Sequence, residues 1–190
     1  ADHGATLLCY IGNEECVNSG NNKNWEFVTN TVTGTVYTDE GINTIGANKT
    51  VSLSVSGSSV IDSDETDIGG QFTLSGAQML SGSVITVYLD GETEDGVTVS
   101  ISSGSNMTGM HIYQNRLIVR SETGASSPAS FGNGTIANTH LATADGSGDA
   151  DIGALYRMTD SDATLLVSSG KELYVWTGST LEPGGRVKSH

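Results

Sequence analysis

Basic residues are scarce in this sequence: Lys and Arg number 8 against 22 Asp and Glu in 190 residues, a net charge of −14. Nucleic acids and anionic membranes are bound through a basic footprint that replaces released counterions, so this balance excludes both as partners. Long apolar runs are also missing. Nothing approaches the roughly 18 residues that a membrane-spanning helix requires, which excludes membrane insertion and an uncleaved signal peptide. With Ala1 in place of an initiator Met, the expectation is a processed, exported chain with an extracellular, cell-surface address.

Catalytic signatures are absent too. No Gly-x-Ser-x-Gly elbow, phosphate loop, dinucleotide fingerprint or haem-attachment motif occurs, and the four histidines His3, His111, His140 and His190 are scattered. His111 lies in a strand pattern, where a half-buried sheet residue is the simpler reading than a base. Glu92 and Glu94 form a carboxylate pair of the kind glycosidases use, but they sit in Asp90-Gly91-Glu92-Thr93-Glu94-Asp95-Gly96, which has the chemistry of a hairpin loop. The expectation is therefore a non-enzymatic protein.

Only two cysteines occur, Cys9 and Cys16, close together near the N-terminus. In an exported protein such a pair closes one small disulfide loop, and no CxxC or His-Cys cluster points to metal or redox use. Asn48, Asn106 and Asn133 each open an Asn-x-Thr sequon, the acceptor pattern for a surface glycan.

What the chain does have is Gly, Ser and Thr in quantity, with apolar residues at 36% and charged ones at 16%. That is the composition of many short strands joined by tight turns, and it differs from the Lys/Glu-rich pattern of disordered chains. Residues 1–30 read as an N-terminal arm: Thr6-Leu7-Leu8-Cys9-Tyr10-Ile11 is strand-like, and an Asn-rich linker follows. From Thr31 a period of two appears, with Val51, Leu53 and Val55 alternating with Ser52 and Ser54, one face buried and the other toward water. Strand patterns recur at 71–74, 84–89 and 97–101. The reading is an all-β chain, a β-sandwich of prealbumin or immunoglobulin type over 31–105. A second β-rich region covers 106–190, packed on the first or on a neighbouring subunit. Asn138–Thr143 and Ala77–Leu80 are expected as single helical turns.

The acids are unevenly spread, with fourteen in residues 1–115 against Lys23 and Lys49, a net of −12. Solubility is one use of such a field and cation attraction the other. Asp145, Asp149 and Asp151 fall in a Gly-rich stretch where hard oxygens could surround a calcium ion, although the acid positions do not match an EF-hand. Asp62, Asp64, Glu65 and Asp67 form a second acidic run. For both, the alternative is an ordinary solvated turn.

Three stretches carry a resemblance. They are Val32-Thr33-Gly34-Thr35-Val36-Tyr37-Thr38-Asp39-Glu40-Gly41, then Ile45-Gly46 with Val51-Ser52-Leu53, and Thr66-Asp67-Ile68-Gly69-Gly70-Gln71-Phe72-Thr73-Leu74. Together they resemble the carboxypeptidase-regulatory-like domain over about residues 30–102, departing from it by one extra residue before Gly70. The resemblance implies a prealbumin-like sandwich used for binding or scaffolding. Gly41 and Gly70 would supply turns with positive φ, while Phe72 and Leu74 would enter the core. The remainder resembles modules of very large bacterial surface proteins, and its last strands, with corners at Ser169-Gly170 and Thr177-Gly178, echo a β-solenoid rung.

Two functional readings follow. One is a structural subunit of an extracellular filament or surface assembly, a homopolymer whose arm residues Thr6, Leu7, Leu8 and Ile11 act as a donor strand in a neighbour's sheet. The other is a carbohydrate-binding or adhesin module, with Trp25, Tyr113 and Trp176 as stacking platforms for glycans.

Overall fold

The computed structural model describes residues 7–9, 25–27, 29–120, 135–159, 161, 164–182 and 186–189. The fold is all-β and sandwich-like, with strands in several sheets and two short helices. The arm contributes β1 (Leu7–Cys9) and β2 (Trp25–Phe27), which pair in parallel as a two-stranded sheet of their own.

The sandwich is built from β3 (Asn30–Tyr37), β4 (Thr50–Val55), β5 (Asp62–Glu65), β6 (Gln71–Ala77), β7 (Val84–Leu89), β8 (Val97–Ile101) and β9 (Ile112–Tyr113). One sheet has the order β6-β3-β9. The other has six strands, completed by β10 (Arg116–Val119) and β14 (Glu172–Val175), in the order β14-β10-β8-β7-β4-β5. Alternation decides which side chains meet between the sheets. Val32, Val36, Phe72 and Leu74 from one sheet pack on Val51, Leu53, Ile85, Val87 and Leu89 from the other. Full burial of each such side chain contributes about 1.5–3 kcal/mol. Gly34 marks a close approach within the three-stranded sheet: a Cβ there would lie 2.2 Å from the Met110 carbonyl oxygen, just before β9, and 2.6 Å from Phe72, its cross-strand partner in β6. Gly41 and Gly70 have φ of 94° and 72°, and Phe72 and Leu74 are buried.

The other face of the six-stranded sheet is covered as well. Helices α1 (Asn138–Asp145) and α2 (Ala150–Leu155), with β12 (Tyr156–Thr159) and β13 (Thr164–Val167), lay Leu141, Ile152, Leu155, Tyr156 and Leu165 on Val84, Tyr88, Val97, Val99, Leu117 and Val119. This third layer corrects the expected solvent face of β4. Ser52 and Ser54 are buried, because their small side chains point at the covered face and satisfy themselves on Asp90 and on the Ser58 carbonyl. The helical turns are corrected too: α1 runs eight residues rather than the six expected, 78–80 is not helical, and α2 begins inside the Gly-rich stretch that holds Asp149 and Asp151.

The C-terminal half stacks on itself. The remaining strands are β11 (Thr135–Ala137), β15 (Thr180–Glu182) and β16 (Arg186–Ser189). β14 pairs in parallel with β10, β15 with β11 and β16 with β13, so each strand of a second turn lies on the corresponding strand of the first. This is solenoid-rung geometry, with α1, α2 and β12 inserted between the second and third strands of the first rung. The rungs do not stand alone. β10 also pairs in parallel with β8, so strands from both sides of position 105 share one sheet.

Candidate functional site

Period-two alternation puts Thr33, Thr35 and Tyr37 of β3, and Gln71 and Thr73 of β6, on the outer face of the three-stranded sheet. There Thr33, Thr35, Gln71, Thr73, Gly109 and His111 line an open, mainly polar cleft of about 350 Å³. At its end stands an aromatic cluster drawn from three strands and their flanks. Tyr37 meets His111 and Tyr113 edge-on, with ring centroids 5.3 and 5.8 Å apart. Trp176 lies 5.8 Å from His111 and 6.1 Å from Tyr113, and Tyr174 is 5.2 Å from Tyr113. The Arg120 guanidinium sits 5.2 Å from the Trp176 ring and donates to the Gly109 carbonyl. Arg116 bridges Glu40 and Glu172 at 3.2 and 3.0 Å.

The half-buried His111 accepts the Thr35 N–H on Nδ1 at 3.2 Å. Burial, and then the charge of Arg120, hold its pKa below the ordinary histidine value. Burial raises the Tyr113 hydroxyl pKa. Tyr113 and Arg120 are themselves buried, so the face on offer is Tyr37, His111, Tyr174 and Trp176 beside hydroxyl and amide groups, a chemistry suited to stacking and hydrogen bonding.

Of the residues singled out in the sequence, the structure brings Tyr113 and Trp176 together. Trp25 is in β2, in the separate two-stranded sheet of the arm. Tyr37, Tyr174 and His111 are further members of the cluster. The spacing His111-x-Tyr113 and Tyr174-x-Trp176, two aromatic pairs at period two, was the available signal.

The Asp/Gly run proposed for calcium is a helix junction. Asp149 caps α2, accepting from the Asp151 N–H at 2.9 Å, while its other oxygen accepts from the Tyr88 hydroxyl at 2.9 Å. Asp145 accepts from the Met158 N–H and Asp151 from the Gly91 N–H, each at 2.8 Å. The three carboxylates hold three different parts of the chain, and among the described residues no group of three or more His, Cys, Asp or Glu is placed to hold a metal ion. Burial, reinforced by Asp149 and Asp90, raises the Asp151 pKa.

The second acidic run is structural in a different way. Asp64 and Asp62 on β5 accept the Thr73 and Ser75 N–H groups of the β6 edge at 2.7 and 2.6 Å, and Asp67 closes the turn onto Gly69 and Gln71. Glu92 and Glu94 both hold Lys49, at 3.1 and 2.7 Å. Burial opposes the lowering of the Glu92 pKa, which the Thr50 N–H and Lys49 nevertheless bring about; Lys49 alone dominates the lowering at Glu94.

Leu7, Leu8 and Cys9 form β1, whereas Thr6, Ile11 and Cys16 lie outside the described residues, and with Cys16 the Cys9–Cys16 pairing. Asn48 and Asn106 are exposed; Asn133 lies outside the described residues. Among the described residues no helix is long and apolar enough to cross a membrane. No family model matches the chain, and no curated protein or solved structure does.

Proposed function

We propose that the chain is a structural subunit of an extracellular surface assembly. The observation that carries this reading is the unequal treatment of the sheet edges. At one side of the molecule β5 is an acidic strand whose carboxylates cap the neighbouring edge of β6. At the other, the second rung ends the stack with apolar residues outward and no further strand on it among the described residues. Proteins protect the edges they do not use, and an unprotected one is a surface for another chain. In this reading the acidic composition serves solubility, and the segment Thr6 to Ile11 is a donor strand for a neighbouring subunit. Negative-stain electron microscopy of the native material tests it. Ordered fibres or arrays are expected, and isolated particles at all concentrations would sink the reading. Deleting residues 1–11 should abolish the fibres if the arm is the donor.

A second reading, a glycan-binding module, is favoured by the aromatic cluster beside the polar cleft. A glycan array probed with the protein and with a Trp176→Ala variant decides it: binding lost in the variant supports the module, and no binding by either rejects it.

A further inference from the structure

We propose that the folded chain forms an amide bond within itself, between the Lys171 side-chain nitrogen and the Asn115 side-chain carbonyl carbon, with Asp95 as the proton carrier. The modification lies inside one chain and is independent of both the assembly and the glycan readings.

Parallel register brings the three residues together. Leu117 pairs with Val97 on one side and with Leu173 on the other. Two residues earlier on each strand, Asn115 is therefore level with Asp95 at the entry to β8 and with Lys171 at the entry to β14. The backbone carries the ladder past the strand ends: the Asn115 N–H donates to the Asp95 carbonyl at 2.7 Å, and the Asn115 carbonyl accepts from the Glu172 N–H at 2.9 Å. Asn115 has a φ of 62°, in the left-handed region where Asn is enriched. Lys171 is fixed in turn by its own N–H on the Ser168 carbonyl at 3.0 Å. Three residues distant in sequence are thus held in one row by main-chain bonds.

Their side chains converge. Lys171 Nζ donates to Asn115 Oδ1 at 2.7 Å and is ion-paired with the Asp95 carboxylate. The Lys171 and Asp95 side chains keep only 17% and 19% of their exposure, so the contact is largely withdrawn from water. An ion pair needs only an amine and a carboxylate; here a carboxamide is held against the same nitrogen. With a C=O bond of about 1.2 Å, Asn115 Cγ lies within about 4 Å of Nζ, close to the roughly 3–3.5 Å of a near-attack geometry. A lysine amine is a nucleophile once it sheds a proton, and Asp95 is placed to take it. Nζ then attacks Cγ; the Nζ–Cγ bond forms and the Cγ–Nδ2 bond breaks. The two protons that Nζ gives up leave with Nδ2 as an ammonium ion, and Asp95 ends ionised, as it began. No oxidant or co-reactant is consumed. The product ties β14 to β10, the second rung to the first, and constrains the unfolded chain as a disulfide between the same positions would.

Mass spectrometry of the full chain, reduced and made in a host that adds no N-linked glycan, is the test. The intact mass should fall short of the sequence mass by one ammonia. A tryptic digest should contain a branched peptide joining residues 50–116 to 158–186. The branched peptide is the deciding readout, because Asn133-Gly134 can also lose ammonia by closing on itself. Asp95→Ala should abolish the branch while leaving both bonded residues in place. Lys171→Arg, which keeps the charge, and Asn115→Gly, which suits the positive φ, should abolish it as well. Far-ultraviolet circular dichroism verifies that the variants fold. A folded wild-type chain without the branched peptide overturns the proposal. So does a link from Lys171 to Asp95 with loss of water, or a branch undiminished in Asp95→Ala.

Discussion

The sandwich and the rungs share one sheet but are held by different kinds of pairing. In β3 to β8 most neighbours run antiparallel and the chain reverses through short turns, as between β7 and β8 or β4 and β5. From β8 onward every addition to the six-stranded sheet is parallel and skips intervening chain: β10 onto β8, then β14 onto β10 across α1, α2 and three other strands. The sandwich half has two facing sheets to bury its apolar residues. The rung half depends on α1 and α2 for its filling, and its second rung leaves Val175 and Val187 half-exposed. Stability should therefore be concentrated around the central strands and thin out toward β16.

The largest effect that would sharpen this contrast is at Leu117, in the first rung and fully buried against the helices. Leu117→Ala should cost about 3 kcal/mol in urea unfolding through lost transfer energy and a cavity. Val187→Ala, in the second rung and half exposed, should cost below about 0.5 kcal/mol at concentrations where the chain is monomeric. A cost at Val187 equal to that at Leu117 would mean that the second rung is buried as deeply as the first. Gly34→Val tests the sandwich by addition instead of removal. Its Cβ meets backbone of Met110 and the Phe72 ring, so the chain entering β9 and the Phe72 side chain must shift away from β3, and a loss of about 2–3 kcal/mol is expected in the same assay.

The smallest effect is a pH dependence with a share in each region. His111 in the sandwich and His140 in α1 both have pKa values lowered by burial below the ordinary 6.5. The unfolded state then binds more protons than the folded one below about pH 6.5, so stability falls as pH drops through that value toward the folded pKa. Glu94, held low by Lys49, adds a further loss as pH falls below its ordinary 4.5. Thermal melts across this range should show both steps, and His111→Gln should shrink the upper one while leaving the lower. A melting temperature flat from pH 7 to 5 would contradict the burial of both imidazoles.

These differences also explain what was legible in the sequence. Val32, Val51, Leu53, Phe72 and Leu74 announce their strands because antiparallel partners lie nearby and the period of two is local. The positive-φ glycines 41 and 70 mark turns for the same reason. The burial of Ser52 and Ser54 was invisible, since it depends on a helical layer supplied by residues about ninety positions later. Helix α2 was hidden by Asp149 and Gly148, residues that serve a turn and a helix cap equally well. The aromatic cluster required knowing that β9 and β14 end side by side, which no local pattern encodes. The corner glycines suggested rungs, but their stacking onto β8 is a matter of parallel register, fixed by burial and not by any turn.

The way β10 and β14 are added to β8 also sets an order in time. A parallel strand can join only when the edge it pairs with exists, and closing the long intervening loop costs entropy that the new contacts return late. β8 presents a usable edge once β7 and β8 have paired, so the topology predicts a sandwich that forms first and a rung stack that grows from it. Refolding kinetics check this: Leu53→Ala should slow folding, whereas Leu173→Ala should mainly speed unfolding. For a chain made from the N-terminus onward, the template is then ready before the strands that copy its direction emerge.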